Sequence, residues 1–169
     1  PMAPDAKTPE GKGNLVRWTE AIAAVADSTG LCKRQSAYQS LQMPGFKEIA
    51  EVISLITGAK FTENDLMRAG DRIIMLERAF NCKFGLTRDD DTLPDRFFEE
   101  PATTPITRIQ LIDREVFERM KGDYYKLRGC DVKTGCPTRE KLEELGLNEV
   151  AKDMAKGGHR RERTLPRTV

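Results

Sequence analysis

Histidine is almost missing from this chain. The single one among 169 residues, His159, lies in the basic run KGGHRRERTLPRTV at 156–169, so neither a Ser–His–acid triad nor a histidine-rich metal site can be built within the sequence. An excess of either charge is missing too. Lys plus Arg number 28 against 27 Asp plus Glu, a balance that argues against an obligate nucleic-acid binder. No apolar run approaches the roughly 18 residues of a membrane span. The four cysteines, Cys32, Cys82, Cys130 and Cys136, are too sparse for a disulfide scaffold, so reduced cysteines and a cytoplasmic setting are the expectation. The opening PMAPDAKTPEGKG lacks the apolar core of a signal peptide and begins with Pro1, which reads as part of a longer protein. Phosphate-binding loops, internal repeats and strand-like alternation are also absent.

What is present is helical spacing. Leu15, Trp18, Ile22 and Val25 recur at helical intervals, with alanines between them and Gly30 as a stop. Phe46, Ile49, Val52, Ile53 and Ile56 predict a second helix over Gly45–Thr57, ended by Gly58. A third begins at Thr62, a good N-cap with acids in its first turn, and runs to about Asn81 on Leu66, Ile73, Leu76 and Phe80, with Gly70 as a weak point. The stretch Leu86–Pro105 has little pattern beyond a turn at Pro94–Glu99, and Arg88 and Arg96 among Asp89, Asp90, Asp91 and Asp95 read either as an ion-pair network or as a solvated acidic loop. Val116, Phe117, Met120, Tyr124 and Leu127 predict a helix over Asp113–Leu127. Shorter helices follow Thr138 and cover Asn148–Met154. The organisation expected is a linker over 1–13, an all-α domain over 14–155 and a basic tail over 156–169, where Arg160, Arg161, Arg163 and Arg167 form a solvated run or an anion contact.

Chemistry is scarce. Cys82, between Phe80 and Phe84, reads as a packing residue. Cys130 and Cys136 flank the loop CDVKTGC and could pair with each other or supply half a zinc site. The tyrosines Tyr38, Tyr124 and Tyr125 and Trp18 are spaced for packing, and the acid pairs Glu99–Glu100 and Glu143–Glu144 suit a surface. The segment 26-ADSTGLCKR-34 breaks a local rule. Asp27 ends a helix pattern where the unpaired carbonyls are already partly negative, a mismatch of about 0.3–1 kcal/mol. Cys32 follows the helix stop directly, either as a structural residue or as a thiol projecting from the turn.

Three segments together resemble the C-terminal domain of the tungsten-dependent aldehyde:ferredoxin oxidoreductase family. They are 14-NLVRWTEAIAAVADSTGLCK-33, 71-DRIIMLERAFNCKFGLTRDDDTLPDRFFEEP-101 and 122-GDYYKLRGCDVKTGCPTREKLEELGL-147, spanning most of Asn14–Leu147. The family's Asp-x-x-Gly-Leu-Cys pattern reads here without departure as Asp27, Ser28, Thr29, Gly30, Leu31 and Cys32. One departure is Cys130, which stands where an aromatic, usually Trp, follows Arg-Gly.

The resemblance implies an irregular helical domain of the family's C-terminal type. It implies that Cys32 is the last of four thiolates on a 4Fe–4S cluster and that Asp27 and Leu31 contact one of two pterins holding tungsten or molybdenum. The cysteine triplet, the second Asp-rich pterin motif and the active-site Glu and His of the family are not in this sequence, so they are expected upstream of Pro1 and no catalytic residue is expected here. The whole protein would oxidise aldehydes to carboxylic acids and pass electrons through the cluster to ferredoxin. Its partners would be the upstream domains, ferredoxin and the aldehyde substrate, with a homo-oligomer also allowed. Two alternatives stand beside this reading: the tungsten subunit of a benzoyl-coenzyme A reductase, and a non-catalytic helical interaction module in which Cys32 is structural.

Overall fold

A computed structural model describes residues 8–103, 108–109 and 111–157. His159 and the tail arginines lie outside the described residues, so the expectation of a basic tail is left where the sequence put it. The described residues are overwhelmingly helical. Helix α1 spans Lys12–Thr29, α2 Phe46–Thr57, α3 Glu63–Lys83, α4 Arg96–Glu99, α5 Arg114–Arg128, α6 Arg139–Glu144 and α7 Asn148–Ala155. A short antiparallel ribbon pairs β1, Ala102–Thr103, with β2, Arg108–Ile109, where the sequence offered no strand alternation. Helix α1 begins at Lys12, inside the expected 1–13 linker.

The ends of the helices follow local chemistry. Thr62 caps α3 by accepting from the Asp65 amide, and the Asp65 carboxylate accepts in return from the Thr62 amide at 2.8 Å. Asp113 and Thr138 cap α5 and α6 by accepting from the Val116 and Lys141 amides, without a reciprocal bond. Helix α5 stops at Gly129, in the left-handed conformation at φ 72°.

Helix α3 is the spine. Its first half joins a core of Ala21, Ile22, Val25, Ala37, Phe46, Ile49, Ala50 and Leu66, built by α1, α2, α3 and the turn at Ala37. Its second half joins a separate core of Met75, Ala79, Tyr125, Cys130, Leu142, Leu145 and Ala151. Between the two halves lies Gly70, expected from sequence to weaken the helix. It instead makes the packing possible. A Cβ there would stand 2.6 Å from the Ala21 carbonyl oxygen, so only glycine lets α3 cross α1 this closely.

Three expected helix faces are corrected. On α3, Leu76 and Phe80 are exposed, and Leu66, Met75 and Ala79 face inward. On α5, Leu127 is exposed and the buried stripe is Gly122, Tyr125 and Arg128, three residues apart. On α2, Val52 and Ile56 point away from the core that holds Phe46, Ile49 and Ala50. The apolar spacing of α2 is wider than one face, so spacing alone could not choose between its two sides.

The buried Arg128 carries the main polar bracket. Its guanidinium, 1% exposed, donates to Asp71 at 2.6 Å, to Glu20 at 2.5 Å and to the Arg17 carbonyl at 3.1 Å. Arg17 holds the other Asp71 oxygen at 2.6 Å, and the Tyr124 hydroxyl donates to Glu20 at 2.7 Å. One cation thus ties α1, α3 and α5 together, and each buried charge has a partner, as a low-dielectric interior requires.

The stretch 86–100 is ordered by similar means. A 3-10 turn at Arg88–Asp90 and helix α4 break it up. The ion pairs expected within it instead reach other elements. Arg88 pairs with Glu118 at 2.6 Å, Arg78 with Asp91, and Arg114 with both Asp95 and Glu99 at 2.9 Å.

The cysteines depart furthest from expectation. Cys82 is disulfide-bonded to Cys136, with Cα atoms 5.9 Å apart, so Cys82 is not simply a packing residue and Cys136 pairs with it rather than with Cys130. Cys130 is a free, buried thiol against Met75. The expectation of reduced cysteines is thus corrected at two of the four positions.

Candidate functional site

The segment that broke a local rule forms a complete helix stop. Gly30, at φ 75°, donates to the Asp27 carbonyl, and the Leu31 amide donates to the Ala26 carbonyl at 3.0 Å. These are the two bonds of a Schellman motif. The Leu31 side chain packs back onto the core that contains Val25, which anchors the turn and leaves the next residue to project. That residue is Cys32. Its thiol is free and exposed, and its carbonyl starts the 3-10 turn Lys33–Gln35 by accepting from the Gln35 amide at 2.8 Å.

The misplaced charge of Asp27 has a local answer. Its carboxylate meets the Lys33 ammonium at 2.9 Å across the turn, with both side chains about half exposed. The hydrogen bond and charge of Asp27 raise the Lys33 ammonium above its ordinary value. The sequence signal was available: opposite charges six residues apart flank a glycine-centred reversal. A surface pair of this kind exchanges readily with solvent or a ligand.

Asp27 also lies on an open groove of about 540 Å³ between α1 and α3. Ala23, Ala24 and Ser28 are among its small lining residues. Tyr38, Ile73, Ile74 and Glu77 also line it. Small side chains allow a flat group to approach the helix surface closely, and Glu77, which sequence reasoning did not single out, adds a carboxylate acceptor to Asp27 and to Glu20, the last held by Arg128 and Tyr124. A separate cavity of about 480 Å³ is lined by Met75, Phe117, Met120, Tyr125 and Cys130 among others. Its polar groups Glu20, Arg78, Asp91 and Lys121 all bond to protein partners, so it offers a ligand little to bind. Burial pushes the Cys130 thiol there up to about 11, which keeps it protonated and inert. Burial likewise raises the Tyr124 hydroxyl, and the Glu20 carboxylate adds to that effect.

The structure therefore brings Asp27, Leu31 and Cys32 onto one turn. Among the described residues no group of three or more His, Cys, Asp or Glu converges to hold a metal ion. The donor set is one exposed thiol and one exposed carboxylate, which fits a single wall of a site.

Comparison with known proteins decides the family. Residues 1–147 match the family model for aldehyde ferredoxin oxidoreductase, domains 2 and 3. The chain belongs to the aldehyde ferredoxin oxidoreductase family. It is 36% identical over 129 residues to the tungsten-containing aldehyde ferredoxin oxidoreductase of Pyrococcus furiosus, covering 76% of this chain and 20% of that protein. It is 34% identical over 139 residues to the enzyme of the same name from Pyrococcus horikoshii, covering 82% of this chain and 21% of that one. Among solved structures, the active site complex BamBC of benzoyl coenzyme A reductase, bound to 1,5-dienoyl-CoA, matches 90% of this chain and 22% of its own. The TM-score is 0.71 and the identity 25%. The chain thus spans about a fifth of the length of the relatives it matches, as their C-terminal helical part.

Proposed function

We propose that residues 14–155 form one wall of the redox centre in a longer aldehyde:ferredoxin oxidoreductase-like protein. On this reading Cys32 is one thiolate ligand of a 4Fe–4S cluster whose other three ligands come from the rest of the polypeptide. Asp27 and Leu31 line the seat of a pterin that holds tungsten, or molybdenum. When bound, the metal–pterin group supplies two-electron redox chemistry and the cluster supplies a one-electron relay. On this reading the whole protein would convert an aldehyde and water to a carboxylic acid, two protons and two electrons, the electrons leaving one at a time for ferredoxin.

This chain's own residues bind and orient. The Asp27 carboxylate accepts hydrogen bonds from ring N–H groups, exchanging its ion pair with Lys33 for charge-assisted bonds to the cofactor. Gly30 sets the angle of the turn, and the packed Leu31 side chain holds it, so that Asp27 and Cys32 stand on one helix stop. The observation that carries the reading is a free, exposed thiol on the same helix stop as the exposed Asp27 carboxylate, in a chain of this family. The likeness to the benzoyl coenzyme A reductase complex supports a second reading, a tungsten subunit acting on an aromatic thioester. The higher identity to the aldehyde enzymes favours the first.

The test uses the full-length protein prepared without oxygen. Aldehyde-dependent reduction of a viologen dye supports the first reading, and dye turnover only with a coenzyme A thioester supports the second. Asp27→Asn is expected to lower tungsten and pterin content while leaving iron in place. Unchanged tungsten would remove Asp27 from the pterin seat.

A further inference from the structure

The Cys82–Cys136 disulfide lies outside the proposed redox centre, and it joins two parts that hydrogen bonds already hold in shape. On one side, the backbone closes the end of α3 by itself. The Phe84 amide donates to the Phe80 carbonyl at 3.2 Å and the Leu86 amide to the Asn81 carbonyl at 3.1 Å. On the other side, a bridge between Cys130 and Pro137 closes the loop that carries Cys136. Within that loop the Asp131 amide donates to the Cys136 carbonyl at 2.8 Å, and the Asp131 carboxylate accepts from the Thr134 amide at 2.7 Å. The same loop supplies the carbonyls that hold two arginines. Thr134 accepts from the Arg88 amide at 2.9 Å, Val132 from the Arg88 guanidinium at 3.0 Å and Gly135 from the Arg78 guanidinium at 2.8 Å. Arg78 in turn holds Asp91, so the bond stands at the root of the contact that fixes the 86–92 segment.

We propose that Cys82 and Cys136 form a reversible redox latch, a dithiol/disulfide couple whose closure tightens the 86–92 segment against the 130–137 loop. Three observations make the pair a couple and not a staple. Both cysteines are half-buried, within reach of a small thiol, and accessible disulfides are the ones that exchange. The bond stands alone among the described cysteines, with Cys32 and Cys130 free, so it is no part of a scaffold on which folding depends. The loop and the helix end keep their own hydrogen bonds when the bond opens. Two thiols with Cα atoms 5.9 Å apart then stay face to face and close again at high effective concentration. In the opening step a thiolate of an external dithiol attacks one sulfur and releases the other cysteine as a thiolate. The second thiol of the reagent resolves the mixed disulfide, so both cysteines end as thiols and the reagent ends as a disulfide. Closing is the same exchange run backwards, with an oxidised dithiol taking up the two electrons and two protons.

The experiment equilibrates the full-length protein, without oxygen, in buffers of reduced or oxidised dithiothreitol. Thiols are trapped with a maleimide and located by peptide mass spectrometry, and hydrogen exchange is followed at the Arg88 amide, which bonds across to the loop. The expected result is that Cys82 and Cys136 are labelled together in the reduced buffer and protected together in the oxidised one, in both directions, with the helical circular dichroism unchanged. The Arg88 amide is expected to exchange at least about 10-fold faster in the reduced buffer, and equally fast in both buffers in a Cys82→Ser protein. Labelling of the pair in both buffers would overturn the proposal, because no couple forms. Protection in both buffers until the protein is denatured would overturn it in favour of a permanent structural bond. Equal Arg88 exchange in the two buffers, in a parent whose bond opens and closes, would overturn the latch.

Discussion

At the scale of residues, charge placement explains most of what is unusual. Asp27 opposes the helix dipole and is answered by Lys33, a short-range pair on the surface. Arg128 lies at the other extreme, buried between Asp71 and Glu20. Removing it leaves carboxylates without their partner in a low-dielectric setting. Arg128→Leu is therefore expected to destabilise the protein by about 3–5 kcal/mol, measured as a shift in the denaturant midpoint. A loss below about 1 kcal/mol would show that Arg17 alone satisfies Asp71. Sequence reading found the Asp27–Cys32 turn because the rule it breaks is local. It missed Arg128 because an arginine three residues beyond a buried tyrosine looks like a surface charge until its partners, far away in sequence, are known.

At the scale of elements, Gly70 sets two rules against each other. Helix propensity predicts that Gly70→Ala gains about 1 kcal/mol. Packing predicts the reverse, because the new methyl would stand 2.6 Å from backbone atoms of α1, which cannot move aside as a flexible side chain can. Packing is expected to win, with a net loss of about 1–3 kcal/mol and a lower thermal midpoint. The 86–92 segment is a second element-level device. The Asp91 carboxylate accepts from Arg78 and from the Tyr125 hydroxyl, and Arg78 also donates to the Gly135 carbonyl at 2.8 Å. Burial pushes Asp91 up, but these hydrogen bonds and the Arg78 charge outweigh it and hold the carboxyl below its ordinary value. A depressed carboxyl contributes stability that is present above about pH 4 and is lost as pH falls through its folded-state value. Asp91→Asn should therefore flatten the acid limb of the stability profile relative to the parent. Equal steepness in the two proteins would contradict the clamp. Helix positions and stops were legible in the sequence through Gly30, Gly58, Thr62 and Gly129. The faces of α2, α3 and α5 were not, since their apolar residues outnumber the positions that one neighbour can cover.

At the scale of the whole molecule, the Cys82–Cys136 disulfide closes a long loop between the end of α3 and the segment before α6. With 54 residues of separation, loop-closure entropy gives up to about 4 kcal/mol of stabilisation. Reductant should lower the melting temperature of the parent and leave a Cys82→Ser protein unchanged. A parent unmoved by reductant would show that the bond does not form in solution. The pairing was not legible in sequence, because nothing local links residues so far apart. The overall claim, that this helical unit completes a redox centre built mostly elsewhere, rests on Cys32. Its most direct test is iron analysis of the anaerobically prepared full-length protein with Cys32→Ala, checked by circular dichroism for intact helices. The expected result is loss of the iron–sulfur absorbance and of cluster iron with the helical signal retained. A Cys32→Ala protein that keeps a full complement of four irons per cluster would contradict the assignment.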